Sequence, residues 1–287
     1  MASSVGPRLI AFASVTGVLL LAPAANGTQS ARGPAGPPVA LETLHVPGVQ
    51  GLAYLARIDP TRSTLALYPG TTQPPVAVPR GPASVPLEER WRLLATFNGG
   101  FKYTSIGLEN GFAVDGHTYV WLKRGLGTLI EYRDGRIDVK TWHGGPTPPP
   151  YVVFARQNLT LLVDRGRAVA AAVNGWEWGA TLGHVPAVWR TGVGVDARGN
   201  LVYAAAADLT ARTLAAILVR AGAVRAIELD INPEWATFIA YRHRGARDPV
   251  ALVPNPQQSA YRYLQPDRRD FFAVYTRAGG GPNVPYR

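Results

Sequence analysis

The chain has no Cys and one Met, and only three of its 29 basic residues are Lys (Lys102, Lys123 and Lys140). Without Cys there are no disulfides, thiolate metal sites or Cys nucleophiles, so the chemistry falls to carboxylates, hydroxyls, amides, His or Arg. Charged residues are 17% of the chain, against a usual ~25%, so it is no disordered polyelectrolyte. The five His (His45, His117, His143, His184 and His243) show no pairing two, three or four residues apart, which gives no transition-metal signature. No Gly-x-Ser-x-Gly elbow occurs, which disfavours serine-hydrolase chemistry. No cofactor is expected, and Ca²⁺ on scattered carboxylates stays open.

What is abundant is Arg, Gly and Pro. The 31 Gly and 25 Pro argue against a long helical bundle and for a loop-rich, strand-rich globule. The net charge of +10 has two readings, a coding bias toward Arg or attraction to an anionic polymer or surface. The densest basic stretches, Arg242 to Arg247 and Arg268-Arg269, are too short for a nucleic-acid arm, so no nucleic-acid partner is expected.

Arg8, the uncharged run Leu9 to Leu21 and Ala22-Pro23-Ala24 have the order of a signal peptide over residues 1–24, the alternative being an uncleaved anchor. The run is shorter than the roughly 20 apolar residues a bilayer span needs. The expected protein is therefore secreted or in the cell envelope, with no integral span after cleavage. Residues 25–40, with Arg32-Gly33-Pro34-Ala35-Gly36-Pro37-Pro38, read as a linker, and residues 41–287 as the folded domain.

The domain reads mainly as hairpins. Ala53 to Asp59 and Thr64 to Tyr68 flank a turn at Asp59-Pro60-Thr61-Arg62, and Asp115-Gly116 and Asp134-Gly135 are tight hairpin signals. Leu159 to Val163 with Ala168 to Val173, and Val188 to Val195 with Leu201 to Ala207, predict two more. One helix is periodic: Leu209, Leu214, Ile217, Leu218 and Ala221 share a face, Asp208 or Thr210 caps it, and Gly222 ends it. It joins Leu201 to Ala207 with Val224 to Ile231, a crossover that predicts two parallel strands in one sheet. Leu87 to Leu93 feeding Leu94 to Phe97 is a weaker helix-to-strand unit. The fold class is α+β: mixed β-sheets built largely from hairpins, with a few helices and one strand-helix-strand crossover.

Both helix-to-strand units end in unusual loops, Phe97-Asn98-Gly99-Gly100-Phe101-Lys102 and Glu228-Leu229-Asp230-Ile231-Asn232-Pro233-Glu234-Trp235, and sites favour the carboxyl ends of strands. Paired glycines let a ligand approach amide N–H groups. Glu228 and Asp230 share a strand face about 7 Å apart, close enough for one to shift the other's pKa and for an acid and base pair, unless that face is wet. Glu234 is an alternative second carboxylate, and Pro233 restricts Asn232. Arg190, inside an apolar strand, must face water or find an anion, either a ligand's phosphate or carboxylate or, as a buried pair, Asp230. Lys102 and Arg156-Gln157-Asn158 are further donors, and Trp235 either stacks on a sugar or packs.

Four segments in order, Phe97-Asn98-Gly99-Gly100-Phe101, Arg156-Gln157-Asn158-Leu159, Trp189-Arg190-Thr191-Gly192-Val193-Gly194-Val195 and Ala223 to Asp230, resemble the phosphodiester glycosidase family, which includes the mannose-6-phosphate uncovering enzyme. The likeness is nearest to a branch of exported actinobacterial proteins. It covers Leu93 to Trp235 and continues through Arg262-Tyr263-Leu264 and Arg269-Asp270-Phe271 to Arg277. It implies a mixed α/β fold and hydrolysis between a sugar's anomeric carbon and a phosphodiester oxygen. Asn98, Gly99 and Gly100 match the family's Asn-Gly-Gly turn, Arg190 its Arg-Thr-x-x-Gly strand, and Asp230 the Asp of its Leu-Asp-Gly-Gly loop. Where the family continues with glycines, this chain has Ile231-Asn232-Pro233-Glu234-Trp235, which narrows the approach.

The implied roles make Asp230 the principal catalytic carboxylate and Glu228 or Glu234 its partner. Substrate binding falls to Asn98, Gly99, Gly100, Lys102, Gln157, Arg190, Asn232 and Trp235. The partner is a glycosyl phosphodiester, or, for a non-catalytic rival, an anionic cell-wall glycopolymer.

Overall fold

The computed structural model describes residues 36–47, 51–76, 81–103, 110–169, 178, 185 and 187–277. The expected signal peptide and residues 25–35 of the expected linker lie outside them. In chain order the strands are β1 (Val39–His45), β2 (Leu52–Ile58), β3 (Ser63–Tyr68), β4 (Leu93–Asn98), β5 (Phe112–Val114) and β6 (His117–Val120). There follow β7 (Gly127–Tyr132), β8 (Ile137–Thr141), β9 (Val152–Gln157), β10 (Val163–Asp164), β11 (Arg167–Ala168), β12 (Val188–Asp196) and β13 (Leu201–Leu209). Helix α1 (Ala211–Arg220) leads into β14 (Ala223–Glu228), β15 (Phe238–His243), β16 (Arg247–Ala251) and β17 (Phe271–Thr276). Val39 and Ala40, the end of the expected linker, are already strand.

Three sheets result: β1-β2-β13-β12-β14-β10-β11, β16-β15-β4-β17-β3 and β6-β5-β9-β7-β8. Every pairing among the described residues is antiparallel, so the expected mixed sheets are corrected to antiparallel ones and the fold is largely β. The crossover does leave β13 and β14 parallel in one sheet, because β12 lies between them and pairs antiparallel with each. Thr210 caps α1 with a reciprocal Thr213 capping box, and Gly222 has φ +95° beyond its end.

Period-two alternation divides the core. On β13, Leu201, Tyr203 and Ala205 face a central cluster shared by all three sheets, while Val202, Ala204 and Ala206 face Leu214, Ala215 and Leu218 of α1. The outer face of the second sheet packs Leu93, Ile239, Tyr241, Phe271 and Tyr263.

One expected hairpin is corrected. β2 and β3 do not pair: Asp59 forms the turn by accepting from Thr61 N at 2.8 Å, but β2 then joins β13 and β3 joins β17. A local turn signal sets the bend, and long-range partners decide what each arm pairs with. The Leu159 to Val173 hairpin forms at its expected turn, pairing Val163 with Ala168 and Asp164 with Arg167 and continuing through Val169 N donating to Leu162 O at 3.1 Å, its return strand beyond Val169 lying outside the described residues. The hairpins at Asp115-Gly116 and Asp134-Gly135 and the β12-β13 pair form as expected.

Glu131 ties the second and third sheets together: its Oε2 on β7 accepts from Leu65 N on β3 at 3.1 Å. Burial pushes its carboxyl from 4.5 up to about 8, against the lowering effect of that N–H and of Arg277. Between those values the folded chain keeps a proton that the unfolded chain releases. Stability from this group is therefore full at low pH and falls as pH rises through the window, at up to about 1.4 kcal/mol per pH unit. Glu131→Gln should gain stability relative to the unmodified protein from pH 5 to pH 8 in denaturant titrations. A difference that stays constant with pH would contradict this.

Candidate active site

The carboxyl ends of β4, β9 and β14, one from each sheet, meet at a buried polar junction. Asn98, closing β4, donates from Nδ2 to Thr191 Oγ1 on β12 at 3.0 Å, and its Oδ1 accepts from Tyr203 OH at 3.0 Å and Thr237 N at 3.2 Å. Thr191 in turn exchanges bonds with the Asp230 backbone, accepting from Asp230 N at 3.0 Å and donating from its own N to Asp230 O at 2.9 Å. Asn158, just past β9, donates to Glu228 O at 2.7 Å and Leu229 O at 3.0 Å and accepts from Phe101 N at 3.0 Å. Leu159 follows with φ +55°, a left-handed conformation costing on the order of 1 kcal/mol that bends the chain out of β9.

Three buried ion pairs surround the junction. Arg190 Nη1 meets Glu228 Oε1 at 2.5 Å, Arg156 Nε meets Asp270 Oδ2 at 2.8 Å, and Arg269 Nη2 meets Asp230 Oδ2 at 2.6 Å. Burial drives the Glu228 carboxyl up to about 7 although Arg190 pulls it down, and Asp230 adds to the rise. Glu228 is 0% exposed and its Oε2 has no hydrogen-bond partner.

From Asp230 the chain enters a loop of successive side-chain turns: Asp230 Oδ1 accepts from Asn232 N and Asn232 Oδ1 from Glu234 N, each at 2.9 Å. Asn255 Nδ2 clamps it from outside through Pro233 O at 2.9 Å. The loop forms one wall of a cleft of about 410 Å³ lined by Thr72, Gln73, Lys102, Glu234, Trp235, Arg268 and Arg269. Asp230, 4% exposed, lies behind that lining on Arg269. Exposed Lys102 and Arg268 make no ion pair with any described residue, so the cleft carries surplus positive charge. Among the described residues no group of three His, Asp or Glu is placed to hold a metal ion.

Comparison with protein-family models and with curated proteins returns no match. Among solved structures, the zebrafish N-acetylglucosamine-1-phosphodiester alpha-N-acetylglucosaminidase catalytic domain, auto-inhibited by its pro-peptide, superposes with a TM-score of 0.51 at 15% identity. The match covers 84% of this chain and 82% of that one. The chain shares the fold of that catalytic domain. A Synechocystis protein described as hypothetical also matches, with a TM-score of 0.44 and 15% identity over 83% of this chain and 61% of that one.

Within this fold the two loops singled out in the sequence do converge, through Asn98, Thr191 and Asp230 and through Arg269, which donates to both Gly100 O at 2.7 Å and Asp230. Several expected roles change. A Cβ on Gly99 would lie 2.2 Å from Asp270 Oδ2 and one on Gly100 2.6 Å from Asn158 Oδ1, so these glycines admit neighbouring side chains rather than a ligand. Gly99 N is taken by Asp270 O at 3.0 Å, and both ends of the Asn98 amide are occupied. Arg190 pairs with Glu228, not Asp230, and also donates to Leu209 O and Trp178 O at 2.8 Å, so it is buried structure. Gln157 is fully buried and spends its amide on Gly111 N, Lys123 N and Lys123 O in the third sheet, away from the cleft.

Lys102, Glu234 and Trp235 do line the cleft, the last two on the loop that Asn232 sets. The residues not foreseen as site groups are Arg269, Arg268, Arg262 and Asp270. The signal for Arg268, Arg269 and Asp270 in the sequence is the charged run Asp267-Arg268-Arg269-Asp270 directly before the apolar Phe271–Thr276 strand, a run that does not include Arg262.

Removing Arg190 leaves a carboxylate in the interior with nothing to offset its desolvation. Arg190→Met should cost roughly 3–5 kcal/mol at pH 8 and less at pH 5, where Glu228 takes up a proton. Urea denaturation at the two pH values checks this, and an equal loss at both would contradict it.

Proposed function

We propose that the protein is an exported hydrolase of glycosyl phosphodiesters, cleaving between the anomeric carbon and the phosphate oxygen. The observation that carries this reading is a buried carboxylate, Asp230, ion-paired to Arg269 at the inner side of a cleft with surplus positive charge. A cationic cleft attracts a phosphodiester, and a carboxylate beside it can act on the anomeric carbon. Export rests on the Arg8 to Ala24 segment of the sequence.

In the proposed reaction a water oxygen bonds to the anomeric carbon as the bond to the phosphate oxygen breaks, its electron pair leaving with the phosphate and the water's surplus proton passing to a carboxylate of the site. Asp230 activates the water or stabilises the positive charge developing on the sugar. Glu234, on the cleft lining, serves as the second carboxylate. Lys102, Arg268 and Arg269 offset the charge of the departing phosphomonoester, and Trp235, on the loop set by Asn232, lines the cleft beside them. Glu228, sealed behind Arg190, acts by positioning β14 and not by touching substrate.

A second reading, non-catalytic binding of an anionic cell-envelope glycopolymer, is favoured by one feature, the Trp235 loop that walls the cleft where the resembled family carries glycines. A panel of glycosyl-1-phosphodiesters, including N-acetylglucosamine 1-phosphodiesters, separates the two. Turnover should occur and fall about 10²–10⁴-fold in Asp230→Asn, with and without chelator. Unchanged hydrolysis in that variant removes Asp230 from the mechanism. Salt-sensitive binding with no turnover of any member would favour the binding protein.

A further inference from the structure

Three buried donors around one ring lack a partner: Trp235 Nε1, Arg262 Nη1 and Arg269 Nε. They belong to one stack, with the Arg262 and Arg269 guanidinium carbons 4.9 and 5.0 Å from the Trp235 ring centroid and the Lys102 ammonium at 5.7 Å. Neither arginine can turn to find an acceptor. Arg262 is held on Asp267 by bonds of 2.5 and 3.0 Å, and Arg269 on Asp230 at 2.6 Å and Gly100 O at 2.7 Å.

Buried guanidinium and indole N–H groups have given up their water and require an acceptor. All three vacancies are donors and none is an acceptor, which specifies a ligand rich in acceptor oxygens. The ion pairs neutralise Arg262 and Arg269, but Lys102 over the same ring and Arg268 on the same cleft have no acidic partner among the described residues, which specifies negative charge. We infer that Arg262, Arg269 and Trp235 form a seat for a phosphate-type oxyanion behind the cleft wall, with the exposed Lys102 side chain swinging off the ring to admit it. The seat stands on these donors alone; that its natural occupant is the phosphate of the substrate rests on the hydrolase reading.

The test uses ¹⁵N-Trp-labelled protein, in which the indole N–H resonance missing from Trp235→Phe identifies Trp235. Inorganic phosphate and dimethyl phosphate are titrated at constant ionic strength. The Trp235 resonance should shift saturably. Calorimetric phosphate affinity should fall at least tenfold in Arg262→Lys, which keeps the charge but loses the fork, and also in Trp235→Phe, which keeps a stacking ring but loses the N–H. A larger response to dimethyl phosphate assigns the seat to a diester, and a larger response to inorganic phosphate assigns it to free phosphate. A Trp235 resonance that neither ligand moves, or that potassium chloride moves equally, overturns the seat. Hydrolysis lost in Asp230→Asn would then still stand, so the two readings fail separately.

Discussion

The organisation of this molecule depends on a few amides that join strand ends from three different sheets. Asn98 belongs to the second sheet, Asn158 follows the third, and Thr191 and Asp230 belong to or extend the first. At a strand end the ladder stops and backbone groups lose their neighbours, so a buried strand end needs side-chain partners. Asn suits this because it offers an acceptor and two donors on a short stem. Asn158 uses both kinds at once, closing two carbonyls after β14 and one N–H after β4. Without such links three antiparallel sheets around one apolar cluster would have no fixed mutual register at this end, since apolar contacts are non-directional.

The ion pairs around the junction are a poor source of stability. Taking two charges out of water costs several kcal/mol per ion, and the attraction recovers this only with good geometry and extra hydrogen bonds. Arg156-Asp270 and Arg190-Glu228 are almost wholly buried, and Glu228 retains an unpartnered oxygen. Apolar residues would fill the same volume at lower cost. What the pairs provide is direction: each guanidinium also donates to backbone carbonyls, Arg156 to Phe101 O and Arg190 to Leu209 O, and so fixes the loops that carry the cleft. Expensive charges are concentrated beside the cleft, while the central cluster is apolar.

Features set within about ten residues were legible in the sequence. The Asp-Gly hairpins and the capped helix ending at Gly222 follow from local turn chemistry and periodicity. What depends on distant partners was not. The turn at Asp59 is real, yet the strands it joins diverge because β13 and β17 capture them from more than a hundred residues away. Gly99 and Gly100 stand out in the sequence, but the reason they are glycine lies with Asp270 and Asn158, which no local pattern connects to them. Gln157 and Arg190 look like ligand donors because they are polar within apolar strands. The same signal arises whenever an interior backbone group needs a partner, and that is what each supplies.

The loop after Asp230 builds a cleft wall without glycine. A glycine-rich loop is obligatory only where the chain must take positive φ or where a Cβ would collide. Among the described residues the non-glycine positions with positive φ are Asp115, Leu159, Arg165, Asp208, Ala246 and Asp248, none of them between Asp230 and Ala236. This chain follows that path with ordinary backbone geometry, stabilised by the side-chain turns of Asp230 and Asn232 and the clamp from Asn255. Freed from needing glycine, the loop can carry an indole, and the indole changes the electrostatics of the wall because Arg262, Arg269 and Lys102 all gather on its ring. A wall of glycines would expose backbone N–H groups to a ligand, whereas this one presents stacked cations. The junction that holds Asp230 lies behind this wall, on Thr191 and Arg269.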